Sequence, residues 1–363
     1  MSEANNTPST NRGVKCANEE TSDLRFLIDW CQVTVKNMDA EMICTELLNI
    51  PFQLMKADIR VGIKGYHSSY CYDDIRILES SGINQENGIQ LLMSGQGCRN
   101  YEMFLEANDE TWFDFFDRVV AFNFNVPRLD LAIDDFKTYF KISKLIKLAK
   151  SGQIVTRLKG GRSNDSFTLK DGEKKGDTLY LGSRSSGLNI RFYEKNYEQA
   201  EKLGLDKDDI LPKWNRYELE LRQEKATVAM KELCKSRDVS AVSLGILQES
   251  MRIVRPTGND ADRRRWQLWE PWAWFMTDVK GLKLSIEPEE KNFLDFYGWM
   301  LSSIAPSLWI LDNVGKKKGY DFISELIKLA NITKKHEKIV EGYCLQIDME
   351  SYFEKKDDGV LMN

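Results

Sequence analysis

Histidine is nearly missing from this chain: two occur in 363 residues, His67 and His336, far apart in sequence. A catalytic zinc built on imidazoles is therefore excluded, and any catalytic metal must be held mainly by carboxylates. Oxygen ligands of that kind favour Mg²⁺ or Mn²⁺. Cysteine does not fill the gap. The seven cysteines, Cys16, Cys31, Cys44, Cys71, Cys98, Cys234 and Cys344, are odd in number and scattered, with no CxxC pair. That argues against a disulfide framework and for reduced thiols in a cytoplasmic protein. No apolar run approaches the roughly 18 residues needed to span a bilayer. Residues Met1 to Asp23 are polar and lack an apolar h-region, which speaks against a secretory signal and predicts a disordered tail over 1–22. A Walker A loop is also missing.

An excess of positive charge is missing too, since the net charge is −5. Cations nevertheless gather locally, at Lys144 to Lys150, Arg157 to Arg162, Arg263-Arg264-Arg265 and Lys316-Lys317-Lys318. Each cluster reads either as solvated surface or as part of a phosphate footprint. Lys316 to Lys318, between Gly315 and Gly319, match no phosphate loop and read as a basic turn. Arg263 to Arg265 stand beside Trp266, Trp269, Trp272 and Trp274. That segment reads as a DNA-contacting surface or, by its helical spacing, as apolar core with a charged cap.

What is present in quantity is alternation. Leu24 to Val35, Ile63 to Tyr72, Gly88 to Ser94, Arg128 to Asp135, Thr178 to Gly182, Leu188 to Lys195 and Trp214 to Arg222 all read as strands. Ile63–Tyr72 and Gly88–Ser94 are expected to pair across the Gly82-to-Gly88 turn. Thr178–Gly182 and Leu188–Lys195 are expected to form a hairpin. Helices are predicted at 39–48, as one stripe over 101–122, and at 142–148 and 197–203. After Lys225 the pattern is mostly helical, at 226–235, 242–252, 287–304 and 320–329. The length suggests two or three domains. The fold class is α+β, an antiparallel sheet with helices in the N-terminal two-thirds and a mainly helical C-terminal part. The boundaries are 1–22 for the tail, 23–225 for a catalytic domain and 226–363 for a helical domain that contacts DNA or a partner.

Three strands carry candidate chemistry. On Leu188–Lys195, Arg191, Tyr193 and Lys195 would share one face. A phenol flanked by cations is easier to ionise and well placed beside a phosphate, which points to a tyrosine that attacks a phosphodiester. On Arg128–Asp135, Asp130 and Asp134 share a face. On Trp214–Arg222, Glu218, Glu220 and Arg222 share another. A face that gathers Asp130, Glu218 and Glu220 could hold one divalent cation. Alternatively Glu220 or Asp134 would pair with Arg128, Arg216 or Arg222, as in an ordinary half-solvated strand.

RLDLAIDD, LYLGSRSSG, IRFYEKNYEQ and RYELELR, in that order and spacing, resemble the Rep_trans family of rolling-circle replication initiators. LIDW (Leu27 to Trp30) and MSGQGCR (Met93 to Arg99) also fit, so the resemblance covers about Leu24 to Lys225. It implies a relaxase-like sheet without the usual His-hydrophobe-His metal motif. It further implies a site-specific, metal-dependent nick at double-stranded origin DNA, with a 5′-phosphotyrosyl link, a free 3′-OH and later rejoining. Carried over, the nucleophile is Tyr193, with Tyr197 as runner-up, and Arg191 and Lys195 assist. The metal ligands, for Mg²⁺ or Mn²⁺, are Asp130 with Glu218 or Glu220. Ser183, Arg184, Arg222 and Arg263 to Arg265 are the DNA-contact candidates. The implied partners are origin DNA with its exposed single strand, a host helicase of the UvrD/PcrA type and a second copy in a homodimer, with no membrane. The element served is a plasmid or an integrative conjugative element. Two other readings are a non-catalytic origin- or transfer-site-binding protein and a phosphodiesterase that uses water.

Overall fold

A computed structural model describes residues 24–57, 66, 68–79, 88–183, 186–204, 213–257, 260–281, 297, 300, 304–330, 332, 337 and 340. The expected tail, His67, His336, Arg184 and nearly all of the helix expected at 287–304 lie outside the described residues. The chain divides into two compact units. One comprises Asn11–Tyr101 and Trp112–Leu284; the other comprises Met1–Thr10, Glu102–Thr111 and Ser285–Asn363.

The strands, in chain order, are β1 (Leu24–Val35), β2 (Lys56–Ala57), β3 (Ser68–Tyr72), β4 (Ile75–Glu79), β5 (Ile89–Met93), β6 (Asn125–Asp135), β7 (Ile154–Thr156), β8 (Gly161–Phe167), β9 (Lys174–Leu181), β10 (Leu188–Glu194), β11 (Asn215–Arg222), β12 (Met251–Arg255) and β13 (Gln267–Leu268). Ten of them form one sheet in the order β2-β3-β4-β5-β1-β6-β11-β10-β9-β8. Its pairings are all antiparallel. A second sheet runs β13-β12-β7. The helices are α1 (Ala40–Met42, continuing as a π turn through Leu48), α2 (Gly95–Ala107), α3 (Trp112–Ala121), α4 (Ile142–Lys150), α5 (Lys195–Leu203), α6 (Glu224–Ser236), α7 (Val239–Ser250), α8 (Glu270–Gly281), α9 (Ala305–Lys318) and α10 (Phe322–Leu329).

Several expectations are corrected. The stripe over 101–122 is two helices, α2 and α3, separated by a turn. β4 stands between β3 and β5, so these two do not pair. The helix expected at 242–252 ends at Ser250, and the chain continues as β12. Lys316 to Lys318 form the last turn of α9, where cations complement the helix dipole, and Gly319 closes it at φ 68°. The expected strand end at Lys195 is instead the first residue of α5.

The large sheet has two unlike faces because β6, β10 and β11 alternate strictly. Leu129, Leu131 and Ile133, Leu188, Ile190 and Phe192, and Tyr217, Leu219 and Leu221 are all buried on one side. Phe140 stacks on Tyr217 at 5.2 Å between ring centroids. Phe275 meets the same ring edge-on at 5.5 Å. Trp269 and Trp272, from the Trp-rich segment, are buried against Phe140. The core reading of that segment therefore holds for these two, whereas Trp274 is exposed. Each such side chain contributes roughly 1.5–3 kcal/mol by leaving water.

The other face carries the charges, and Asp134 organises them. In register, Arg216 of β11 stands opposite Asp134 of β6, which stands opposite Arg25 of β1. Asp134 accepts from Arg216 Nε at 2.6 Å, from Trp214 Nε1 at 2.8 Å and from the Arg25 guanidinium. Burial would raise this carboxyl, but Arg216 and Arg25 outweigh it and hold Asp134 far below the usual carboxylate range. Its stabilising effect is complete above the ordinary aspartate value of 3.8 and is lost only as pH falls through the lower folded value. Asp134→Ala would leave Arg216 buried without its partner. We expect a loss of about 3–5 kcal/mol, read as a lower urea midpoint at unchanged slope.

Candidate active site

Tyr193 lies on the charged face of β10, in the same cross-strand row as Arg216, Asp134 and Arg25. Its register partners are Arg216 on β11 and Thr178 on β9. The ring is buried, with 4% of its surface exposed. Its hydroxyl donates to Glu218 Oε1 at 2.6 Å. Arg191, opposite Glu218, reaches the same carboxylate at 2.7 Å and lays its guanidinium 4.2 Å from the Tyr193 ring centroid. Lys195 Nζ stands 5.5 Å from that centroid and pairs with Glu198 at 2.7 Å. These groups line a cavity of about 200 Å³. Its walls carry six cations (Arg25, Arg99, Arg191, Lys195, Lys202, Arg216) against three carboxylates (Asp29, Glu198, Glu218). An acidic protein thus presents a cationic cavity, which suits a phosphodiester.

The expected easy ionisation of Tyr193 is corrected by this geometry. Burial, then the Glu218 carboxylate, push the phenol well above the ordinary tyrosine value, and Arg216 and Arg191 oppose this without reversing it. The resting tyrosine is protonated, and its proton already points at a carboxylate. Burial, with Arg216 nearby, also lowers the Lys195 ammonium from its usual value. Tyr197, two residues into α5, is not part of the cavity wall. Its Cβ packs against Gly176, where a side chain on the glycine would come within 3.0 Å at φ 104°.

The three candidate metal ligands share the face with Tyr193, but only Glu218 lines the cavity; Asp130 and Glu220 do not. Glu220 stands opposite Asp130 in register, and Glu218 lies two residues along β11, about 7 Å away. Arg128 binds Asp130 at 2.5 Å and reaches Glu220 at 3.4 Å, while Arg222 binds Glu220 at 2.6 Å. Among the described residues no group of three or more His, Cys, Asp or Glu is gathered tightly enough to hold a metal. The chemistry of the donors still fits a hard divalent cation. Burial raises Asp130 to about 7 against its Arg128 ion pair, and Glu218 and Glu220 add to the rise; carboxylate oxygens are the donors such an ion takes.

The remaining DNA-contact candidates do not join this cavity. Ser183 is exposed on the β9–β10 turn. Arg222 is half-buried at the far end of β11. Arg263 to Arg265 form an exposed 3₁₀ turn beside the small sheet, where Arg264 and Arg265 pair with Asp262 and Asp260. Arg263 donates to the Gly152 carbonyl at 2.7 Å.

Several cavity residues escaped sequence reasoning. Asp29 enters because β1 carries a bulge between Ile28 and Trp30, which turns the extra residue inward to Arg216 at 3.0 Å. Burial would raise Asp29, but Arg216, Arg99 and Lys195 carry it below the ordinary value. Gln96 and Arg99 enter at the start of α2. There Gly97 lets the chain pass Asp74, whose carbonyl oxygen would lie 2.3 Å from a side-chain carbon. The segments LIDW and MSGQGCR were the signals for both, since each contains a wall residue.

Comparison with known proteins gives the same picture. The family model "Replication initiation factor" matches residues 124–327, and "Rolling Circle replication initiation protein N-terminal domain" matches residues 25–118. The chain is 35% identical over 351 residues to "Putative DNA relaxase NicK" of Bacillus subtilis (strain 168), covering 96% of this chain and 99% of that protein. It superposes on the rolling circle replication initiator protein from Geobacillus stearothermophilus with a TM-score of 0.61 at 30% identity, over 71% of this chain and 97% of that one. With more than half its length matched, and a relative of this similarity along nearly all of it, the chain belongs to the Rep_trans family of replication initiation factors, the rolling-circle initiators and relaxases.

Proposed function

We propose that the chain nicks origin DNA through Tyr193, forming a 5′-phosphotyrosyl link and a free 3′-OH, and later rejoins the strand. The observation that carries this is the 2.6 Å hydrogen bond from the Tyr193 hydroxyl to Glu218 inside a cationic cavity. A phenol with raised proton affinity needs a base in contact, and Glu218 is that base. As the phenolic oxygen bonds to phosphorus, its proton passes to Glu218. The bond from phosphorus to the 3′ oxygen breaks, and that oxygen takes a proton from the Lys195 ammonium. Arg191, stacked on the ring, and Arg216 offset the phosphate charge. Rejoining runs the same transfers in reverse, without ATP.

Asp130 and Glu220, with Glu218 beside them, would hold Mg²⁺ or Mn²⁺, displacing Arg128 or Arg222. When bound, the metal supplies polarisation of the scissile phosphate. The DNA is a double-stranded origin or transfer site with an exposed single strand, on a plasmid or integrative conjugative element. A helicase of the UvrD/PcrA type and a second copy of the chain complete the reading.

Tyr193→Phe should abolish the covalent protein–DNA adduct on a denaturing gel, whereas Tyr197→Phe should keep it. Mass spectrometry of an adduct peptide lacking residue 193 would overturn the assignment. Glu218→Gln should slow single-turnover nicking by about 10²–10⁴-fold. Its residual rate should climb about tenfold per unit through roughly pH 7 to 9, because only pre-formed phenolate reacts, while the parent shows a shallower rise. Chelation with EDTA should stop nicking. Asp130→Asn and Glu220→Gln should each raise the Mg²⁺ concentration needed for half-maximal rate, with little change in folding.

A further inference from the structure

The charged face continues past Tyr193 onto β9 and β8, strands with no role in the chemistry above. One row across the sheet reads Arg162 (β8), Tyr180 (β9), Arg191 (β10), Glu218 (β11). Neighbouring strands lie about 4.8 Å apart, so Tyr180 adjoins the arginine that stacks on the nucleophile. Leu179 and Leu181 are buried on the opposite face, which leaves Tyr180 half-buried on this one. The Arg162 guanidinium lies over the Tyr180 ring at 4.2 Å from the centroid, repeating the Arg191–Tyr193 stack at the same distance. The two arginines differ in one respect. Arg191 is paired to Glu218, whereas Arg162 is exposed and meets no carboxylate among the described residues. Asp165 and Asp177, the nearest acids on β8 and β9, alternate to the other face.

A planar cation held on a ring, with its outer side open and its charge unmatched, has the form of a nucleotide platform. Bases stack on tyrosine rings and on guanidinium planes, and the same guanidinium can face the adjoining phosphate. Inside a duplex a base shows no free face to a side chain, so only an unpaired strand fits. We propose that Arg162 and Tyr180 form a single-stranded DNA subsite, holding a nucleotide near the scissile phosphate one strand out from Tyr193. This rests on the reading of Tyr193 as nucleophile, because that reading brings a single strand to the face.

The test uses the full chain and a fluorescein-labelled oligothymidylate of about 12 nucleotides, with a matched abasic strand, followed by fluorescence anisotropy. The parent should bind the thymidylate about tenfold more tightly than the abasic strand. Tyr180→Ala should lose that discrimination, Tyr180→Phe should retain it, and Arg162→Gln, on the exposed edge strand, should weaken binding of both strands. Undiminished discrimination in Tyr180→Ala overturns the subsite, and so does a loss that Tyr180→Phe fails to restore. Parent-like binding in Arg162→Gln also overturns it. The two readings fail separately: a Tyr193-dependent adduct with no Tyr180 dependence removes the subsite alone. Tyr180-dependent discrimination with no adduct removes the nucleophile alone.

Discussion

The buried pair of Asp134 and Arg216 is the constraint on which the rest of the charged face depends. An ion in a protein interior is tolerated only when its hydrogen-bonding capacity is met, and Asp134 is met from three directions, by Arg216, Arg25 and Trp214. Those partners sit on β1, on β11 and just before it, so the pair fixes the register of three strands as well as satisfying two charges. A slip of one residue in β11 would exchange Arg216 and Glu218 for Tyr217 and Leu219, taking the guanidinium away from the buried Asp134 carboxylate. With register fixed, Tyr193 faces Arg216, and Arg191 faces Glu218. Arg216 also reaches Asp29, so one guanidinium ties the sheet to the cavity wall.

The same constraint explains why Tyr193 rests protonated. Residues adjacent in sequence are a poor guide to a strand side chain's field, because the closest groups lie across the ladder. Reading along β10, Tyr193 has cations on both sides. Reading across to β11, it meets Glu218, and that contact with burial decides the proton's place. A buried phenolate among arginines would be drawn into a fixed ion pair. A phenol bonded to a carboxylate keeps its oxygen free to change partners when phosphate enters.

Much of this was legible in the chain. β6, β10 and β11 could be read from alternation and β1 from its branched and aromatic residues, and the four-motif order pointed to Tyr193. The twofold period also placed Asp130 with Asp134, and Glu218 with Glu220, on common faces, as the register shows. The rest was hidden for identifiable reasons. β4 and β12 are short and follow turns or a helix without a Gly or Pro to announce them. β8 (GRSNDSF) is polar because it is an edge strand, so its composition imitates a loop. The bulge that aims Asp29 inward is a property of pairing, invisible in either strand alone. The role of each carboxylate depended on which arginine stood opposite, and only sheet order supplies that.

The two faces divide the work of the protein in a way that makes the chemistry affordable to the fold. The apolar face, with Phe192, Tyr217 and the aromatic layer of Phe140, Trp272 and Phe275, supplies the burial that holds the central strands. The charged face is then free to keep imperfect electrostatics: an aspartate raised to about 7 at residue 130, a lysine lowered at residue 195, and an Arg191 Nε buried without a hydrogen-bond partner. Each of these is unfavourable at rest and each is relieved by a ligand of definite charge. A cation would satisfy Asp130, and a phosphate would satisfy Arg191 and Lys195. Six cations against three carboxylates around Tyr193, beside an aspartate raised by its own burial, are thus the electrostatics that the proposed chemistry would draw on.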